Sequence, residues 1–190
     1  TGSLLLKSGG LNFVSGETLD IALIEISGGH ADFGSGRIYV GKNGSTEFRV
    51  VGDTASISMH VLNLQPWTVT DPTFRFVLNE TGVSTIQVAS FMNLPMATVI
   101  VDGSAYSGGA TNFVLIDSDN LSTLGDTNKF STTGFAEKGL VASVVQDQAN
   151  GKDWLELVLE ETPYGSWIRG FGLSGTDLDK TANPDGDAYS

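Results

Sequence analysis

Asn183, Asp185 and Asp187 stand at alternate positions around a Pro184-Asp185-Gly186 turn, so three side-chain oxygens converge on one point. A hard cation such as Ca2+ wants six to eight such oxygens. The carbonyl of Tyr189 would add another, Gly186 allows the sharp bend, and Asp177 and Asp179 bring further charge or a water-mediated contact. A twelve-residue calcium loop starting at Asn183 needs a bidentate carboxylate at its last position. The sequence stops at Ser190, the eighth. The expectation is a fragment of a longer protein whose Ca2+ site is incomplete here. The competing reading is a solvated acidic terminus.

The remaining reactive residues form no recognisable catalytic pattern. His30 and His60 are the only histidines. A Ser-His-Asp triad needs a nucleophile and an orienting acid beside the base, and no Gly-x-Ser-x-Gly elbow precedes a helix. His60 reads as a strand residue and His30 as a corner. A glycosidase needs two carboxylates across a cleft. Glu156, Glu160 and Glu161, or Asp32 with Glu47, are the candidates, and nothing in the sequence sets any pair face to face. Asp117-Ser118-Asp119-Asn120 reads as an Asx-rich turn in preference to a cation site. Trp67 follows Pro66 in a loop over 64–72 and is the candidate sugar contact, while Trp154 and Trp167 read as packed. The reading is a non-enzyme.

Composition bounds the setting. The chain has 190 residues, 24 of them glycine, and only ten Lys and Arg against 22 Asp and Glu. That mix favours strands joined by many turns. A net charge of −12 repels nucleic-acid phosphates and anionic membranes. It suits an extracellular, cation-rich medium. The absence of cysteine excludes disulfides and thiolate chemistry. No apolar run approaches the 18 residues of a membrane span. Any targeting segment is expected to have been removed or to lie upstream of Thr1.

Strand patterns are dense: 11–14, 19–26, 37–40, 46–51, 56–64, 73–78, 84–89, 97–101, 112–116, 140–146 and 154–160. Glu47-Phe48-Arg49-Val50 and Thr73-Phe74-Arg75-Phe76 alternate, burying one face and wetting the other. Val99-Ile100-Val101 and Val114-Leu115-Ile116 suit strands covered on both faces. Asn43-Gly44 and Asn150-Gly151 are two-residue hairpin signals. One helix is predicted over Tyr164–Phe171, with Pro163 in its first turn. A weak repeat sets Ile26-Ser27-Gly28 against Val50-Val51-Gly52, a spacing suited to coils of a β-solenoid. Ordinary antiparallel hairpins with glycine corners fit it too.

The stretch Glu25–Leu64, with Ser27-Gly28-Gly29-His30-Ala31-Asp32-Phe33 and Arg37-Ile38-Tyr39-Val40-Gly41, resembles the Gly-rich autotransporter-associated β-strand repeats of large secreted bacterial proteins. Thr81-Gly82-Val83-Ser84-Thr85-Ile86 is similar to the region after those repeats. Asn183-Pro184-Asp185-Gly186-Asp187 resembles a dockerin-like calcium tail. The resemblance implies an all-β protein: β-solenoid-like coils closed by antiparallel hairpins, with an antiparallel β-sandwich or jelly roll as the alternative, and one short C-terminal helix. Residues 1–162 would form a single β domain, with a repeat-like part over 1–94 and a closing part over 95–162. Residues 163–190 would form a helix and an acidic calcium-loop tail. The expected role is an extracellular, cell-surface structural or adhesive module, a self-assembling surface or filament subunit. Ser3, Leu4, Leu5 and Leu6 would add as a strand to a neighbouring copy or surface protein. The alternative is a non-catalytic carbohydrate-binding module that meets a polysaccharide through Trp67. Nucleic acid and membrane insertion are not expected.

Overall fold

The computed structural model describes residues 3–12, 23–34, 37–39, 47–63, 73–90, 92–94, 98–119, 123–124, 129–149 and 152–172. Among these residues the fold is all-β with one short α-helix. Its strands are β1 (Ser3–Leu6), β2 (Gly10–Asn12), β3 (Leu23–Ile26), β4 (Gly29–Asp32), β5 (Arg37–Tyr39), β6 (Glu47–Val51), β7 (Ala55–Met59), β8 (Val61–Asn63) and β9 (Thr73–Val77). There follow β10 (Ile86–Val88), β11 (Met92–Leu94), β12 (Thr98–Asp102), β13 (Thr111–Ser118), β14 (Thr123–Leu124), β15 (Phe130–Thr133), β16 (Leu140–Ala149) and β17 (Lys152–Glu161). Helix α1 (Pro163–Arg169) comes last, with proline in its first turn as predicted.

From β3 onward, most strands pair in parallel with the strand three places further along the chain. A six-stranded sheet runs β1-β3-β6-β9-β12-β15, a seven-stranded one β16-β17-β13-β10-β7-β4-β2, and a four-stranded one β14-β11-β8-β5. This pairing is parallel, unlike the strands of an antiparallel sandwich. Among the described residues, antiparallel pairing enters only where β13 meets β17 and β17 meets β16. The parallel ladders continue past residue 94, since β12 pairs with β9 and β13 with β10.

The two Asn-Gly signals part company. Ala149 pairs with Lys152, so the second marks a true hairpin. Around the first, β5 and β6 lie in different sheets; Asn43 and Gly44 themselves lie outside the described residues. The apolar run 56–64 likewise divides at His60 into β7 and β8, which belong to separate sheets. Local turn chemistry specifies a bend, and the pairing partner is chosen by which side chains stack in the core.

That core is filled by alternation. The four central strands of the six-stranded sheet, β3, β6, β9 and β12, bury every second residue, and register lines these up: Ile24, Phe48, Phe74 and Val99 in one row, Ile26, Val50, Phe76 and Val101 in the next. The Phe48 and Phe74 rings stack with centroids 4.8 Å apart and planes 6° from parallel. Ile57, Ile86, Ile116, Leu155 and Leu157 meet them from the seven-stranded sheet. Each such side chain contributes roughly 1.5–3 kcal/mol of burial. Val99-Ile100-Val101 is not covered on both faces, because Ile100 takes the outward position and is half-buried. At Val114-Leu115-Ile116 a register shift turns Leu115 and Ile116 both inward.

The repeat glimpsed in the sequence has a structural basis. Ile26 pairs with Val50, and Gly28 and Gly52 each lie two residues beyond. Beyond that corner the registers diverge, and Gly29 faces Ala55. Gly29 has φ +77°, and a Cβ there would run into the Gly9 carbonyl, so this corner needs glycine. At the far end Lys138 closes the core. Its Nζ donates to the carbonyls of Gly103 and Ser104 at 2.6 Å and of Tyr106 at 2.7 Å. Burial lowers the Lys138 pKa against the opposing pull of Glu137 and Asp102.

Candidate functional site

The six-stranded and seven-stranded sheets turn their outer faces to solvent, and those faces differ. On the six-stranded sheet the charged side chains saturate one another. Register sets Glu25 beside Arg49 and Arg49 beside Arg75. Arg49 donates to Glu47 at 2.6 Å and to Glu25 at 2.9 Å, and Arg75 donates to Glu47 at 3.1 Å. The hydrogen bond to Glu47 is the main reason the Arg49 pKa is raised above its ordinary value. Glu47 is thereby a rung of a ladder and no partner for Asp32.

The outer face of the seven-stranded sheet carries a groove of about 220 Å3 lined by Val114, Asp147, Trp154 and Glu156. Three antiparallel strands build it. Register sets Trp154 of β17 between Asp117 of β13 and Asp147 of β16, and Glu156 between Val114 and Val145. Alternation explains the orientation: Asp153, Leu155 and Leu157 are buried, which leaves Trp154 and Glu156 half-buried on the outer side. Asp153 fixes the start of β17. Gln146 Nε2 donates to its two oxygens at 2.9 and 2.7 Å, and Gln148 Nε2 donates at 3.1 Å. Asp117 Oδ1 is out of contact with solvent and accepts no hydrogen bond among the described residues. A hydrogen-bond acceptor left in that state costs about 1–3 kcal/mol.

The residues named from the sequence fall in several places. Asn183, Asp185, Asp187, Tyr189, Asp177 and Asp179 lie outside the described residues, as does Trp67. Among the described residues, no group of three or more His, Asp or Glu side chains could hold a metal ion. Ser3, Leu4, Leu5 and Leu6 form β1, which pairs with the chain's own β3 and is the edge of its sheet. Leu5 is 52% exposed. His30 Nδ1 lies 3.2 Å from Ser56 Oγ on the exposed surface. Asp32 is occupied locally, accepting from the Gly34 N–H at 2.8 Å and the Ser58 hydroxyl at 3.3 Å. Glu161 pairs with Arg169 at 3.0 Å, and Glu160 sits exposed at the far end of β17.

Three expectations are corrected. Asp117 and Ser118 belong to β13 and form no Asx turn, because they pair with Trp154 and Asp153; Asn120 lies outside the described residues. Trp167 of α1 is 62% exposed, so it is not packed in the core. Trp154 is half-buried and lines a groove. A signal for the last was present, since Trp154 shares parity with Glu156 and Glu160, the wet face of an alternating strand. Asp117 and Asp147 carried no such signal, being brought to Trp154 by pairing alone.

Among the described residues no helix is long and apolar enough to cross a membrane. No family model matches the chain, and no curated protein or solved structure is significantly similar to it.

Proposed function

We propose that this chain is an extracellular structural or adhesive module, a β-solenoid whose coils stack in parallel and whose last coil is closed by the β16–β17 hairpin and α1. The observation that carries the reading is the recurrence of strand triplets, each paired with its counterpart in the next turn of chain. Such a stack is quasi-one-dimensional, and a strand that ends it still has one edge to offer. The resemblance of Glu25–Leu64 to autotransporter-associated repeats points the same way, to the surface of a bacterial cell. Calcium held by Asn183, Asp185, Asp187 and the Tyr189 carbonyl, with Asp177 and Asp179 beside them, is part of the proposal. So is self-association: the outer edge of β1 would accept or donate a strand to a second copy, head to tail, an arrangement that grows filaments.

The test is assembly. Light scattering and electron microscopy should find concentration-dependent multimers of the native chain, reduced at least tenfold by Leu5→Lys, since a lysine on an edge strand opposes strand addition. A native chain that stays monomeric at millimolar concentration removes the filament reading. Calorimetric titration with CaCl2, repeated on Asp185→Ala, checks the tail.

A second reading, a carbohydrate-binding module, is favoured by one observation: the Trp154 groove with its carboxylates. Trp154 is a candidate platform beside the Trp67 expected from the sequence.

A further inference from the structure

We infer that the outer face of the seven-stranded sheet binds a neutral, extended, β-linked polysaccharide laid across the strands and anchored on Trp154. The inference rests on the carbohydrate-binding reading above and names its ligand. Register brings Asp32, Ser58, Gln87, Asp117, Trp154 and Asp147 into one row across six strands. All six are half-buried or exposed on the outer face. Neighbouring strands are about 4.8 Å apart, so the row extends about 24 Å. One ring of an extended β-linked hexose chain advances by close to one strand spacing. Successive sugars would therefore meet successive side chains.

The chemistry of the row selects the ligand. Asp117, Asp147 and Glu156 offer acceptors, which sugar hydroxyls satisfy as donors. They repel uronic acids, sulfates and phosphates. The half-buried indole of Trp154 offers an apolar face to the C–H face of a pyranose. The uncompensated Asp117 Oδ1 lies beside that indole in register, and a carboxylate turns readily about χ2. A hydroxyl arriving at Trp154 would supply the missing donor and recover its cost. The corresponding row of the six-stranded sheet has no equivalent acceptors, because Glu25 and Glu47 are taken by Arg49 and Arg75.

Affinity electrophoresis tests this in gels containing hydroxyethyl cellulose, mannan or mixed-linkage β-glucan, with carboxymethyl cellulose as the anionic counterpart. At least one neutral glycan should retard the native chain, and carboxymethyl cellulose should retard it less. Trp154→Ala should weaken retention roughly tenfold or more, Asp117→Ala about tenfold, and Trp154→Phe less than either. Trp167→Ala, on the exposed face of α1, should bind as the native chain does. Circular dichroism of Trp154→Phe, which keeps an aromatic ring, separates lost binding from lost folding. Three results would overturn the inference: no retardation by any of the neutral glycans, equal retardation by carboxymethyl cellulose, or Trp154→Ala and Asp117→Ala both migrating like the native chain. Assembly is read by scattering and not by retention, so failure here leaves the filament reading standing, and the reverse holds.

Discussion

The six-stranded and seven-stranded sheets share one core yet present opposite kinds of surface. On the first, Glu25, Arg49, Glu47 and Arg75 are spent on one another. On the second, Asp117, Asp147 and Glu156 surround an indole, with no cation among the described residues that line the groove. The same alternation makes both faces. What differs is the sign pattern along the rows, opposite charges against charges of one sign. A closed ladder stiffens a wall, and an open row of acceptors is available to a ligand. A charged residue on a strand thus cannot be judged structural or functional until its cross-strand neighbours are known.

Both faces depend on the core they share. Phe48→Ala should cost about 3–5 kcal/mol, because it opens the stack against Phe74 that supports both faces. Urea denaturation would register it, and both faces should unfold in one transition. Next in size is Lys138→Met, which strips the ammonium from three carbonyls in the turn joining β12 of one sheet to β13 of the other. A loss of about 2 kcal/mol is expected, measured the same way.

Charge substitutions sharpen the contrast. Glu47→Gln should destabilise by up to about 1 kcal/mol at low salt and by less in 1 M NaCl, since it unlinks two arginines on a partly exposed surface. Glu156→Gln should leave the melting temperature unchanged within error while altering glycan retention. A Glu156→Gln loss as large as that of Glu47→Gln would mean the two faces are alike after all.

The smallest expected effect is on pH dependence. Hydrogen bonds from Thr81 and then Asn79 hold the Asp53 pKa below its ordinary value. Its contribution is fully present above the unfolded aspartate value of about 3.9 and is lost as pH falls through the lowered native one. Thermal melts between pH 5 and pH 2 should find Asp53→Asn less acid-sensitive than the native chain. Equal acid sensitivity would mean that this corner carries no linkage.

Much of the local structure was legible because it depends on neighbours in sequence. Alternation in 47–50 and 73–76 identified strands and their buried faces, the apolar pattern of 154–160 identified a strand, and Asn150-Gly151 identified a hairpin. The short strands β4, β11, β14 and β15 were not legible, since Gly29–Asp32 or Phe130–Thr133 carry little apolar signal and are strands by virtue of their partners. The Asn43-Gly44 signal misled for the same reason, because β6 finds more to stack against in β3 and β9 than in β5.

Local order alone specified a β protein of alternating strands, acidic and free of cysteine, while its indole at position 154 read as packed. Only the tertiary structure decided which strand lies beside which. That choice sets Asp117 and Asp147, far from one another in the chain, on either side of Trp154, and it brings Glu25 to Arg49 and Arg75 to Glu47. Side-chain parity is written in local order. Pairing is not, because it is settled by how rows of Phe, Ile and Val pack across strands that contact each other only after the chain has folded back.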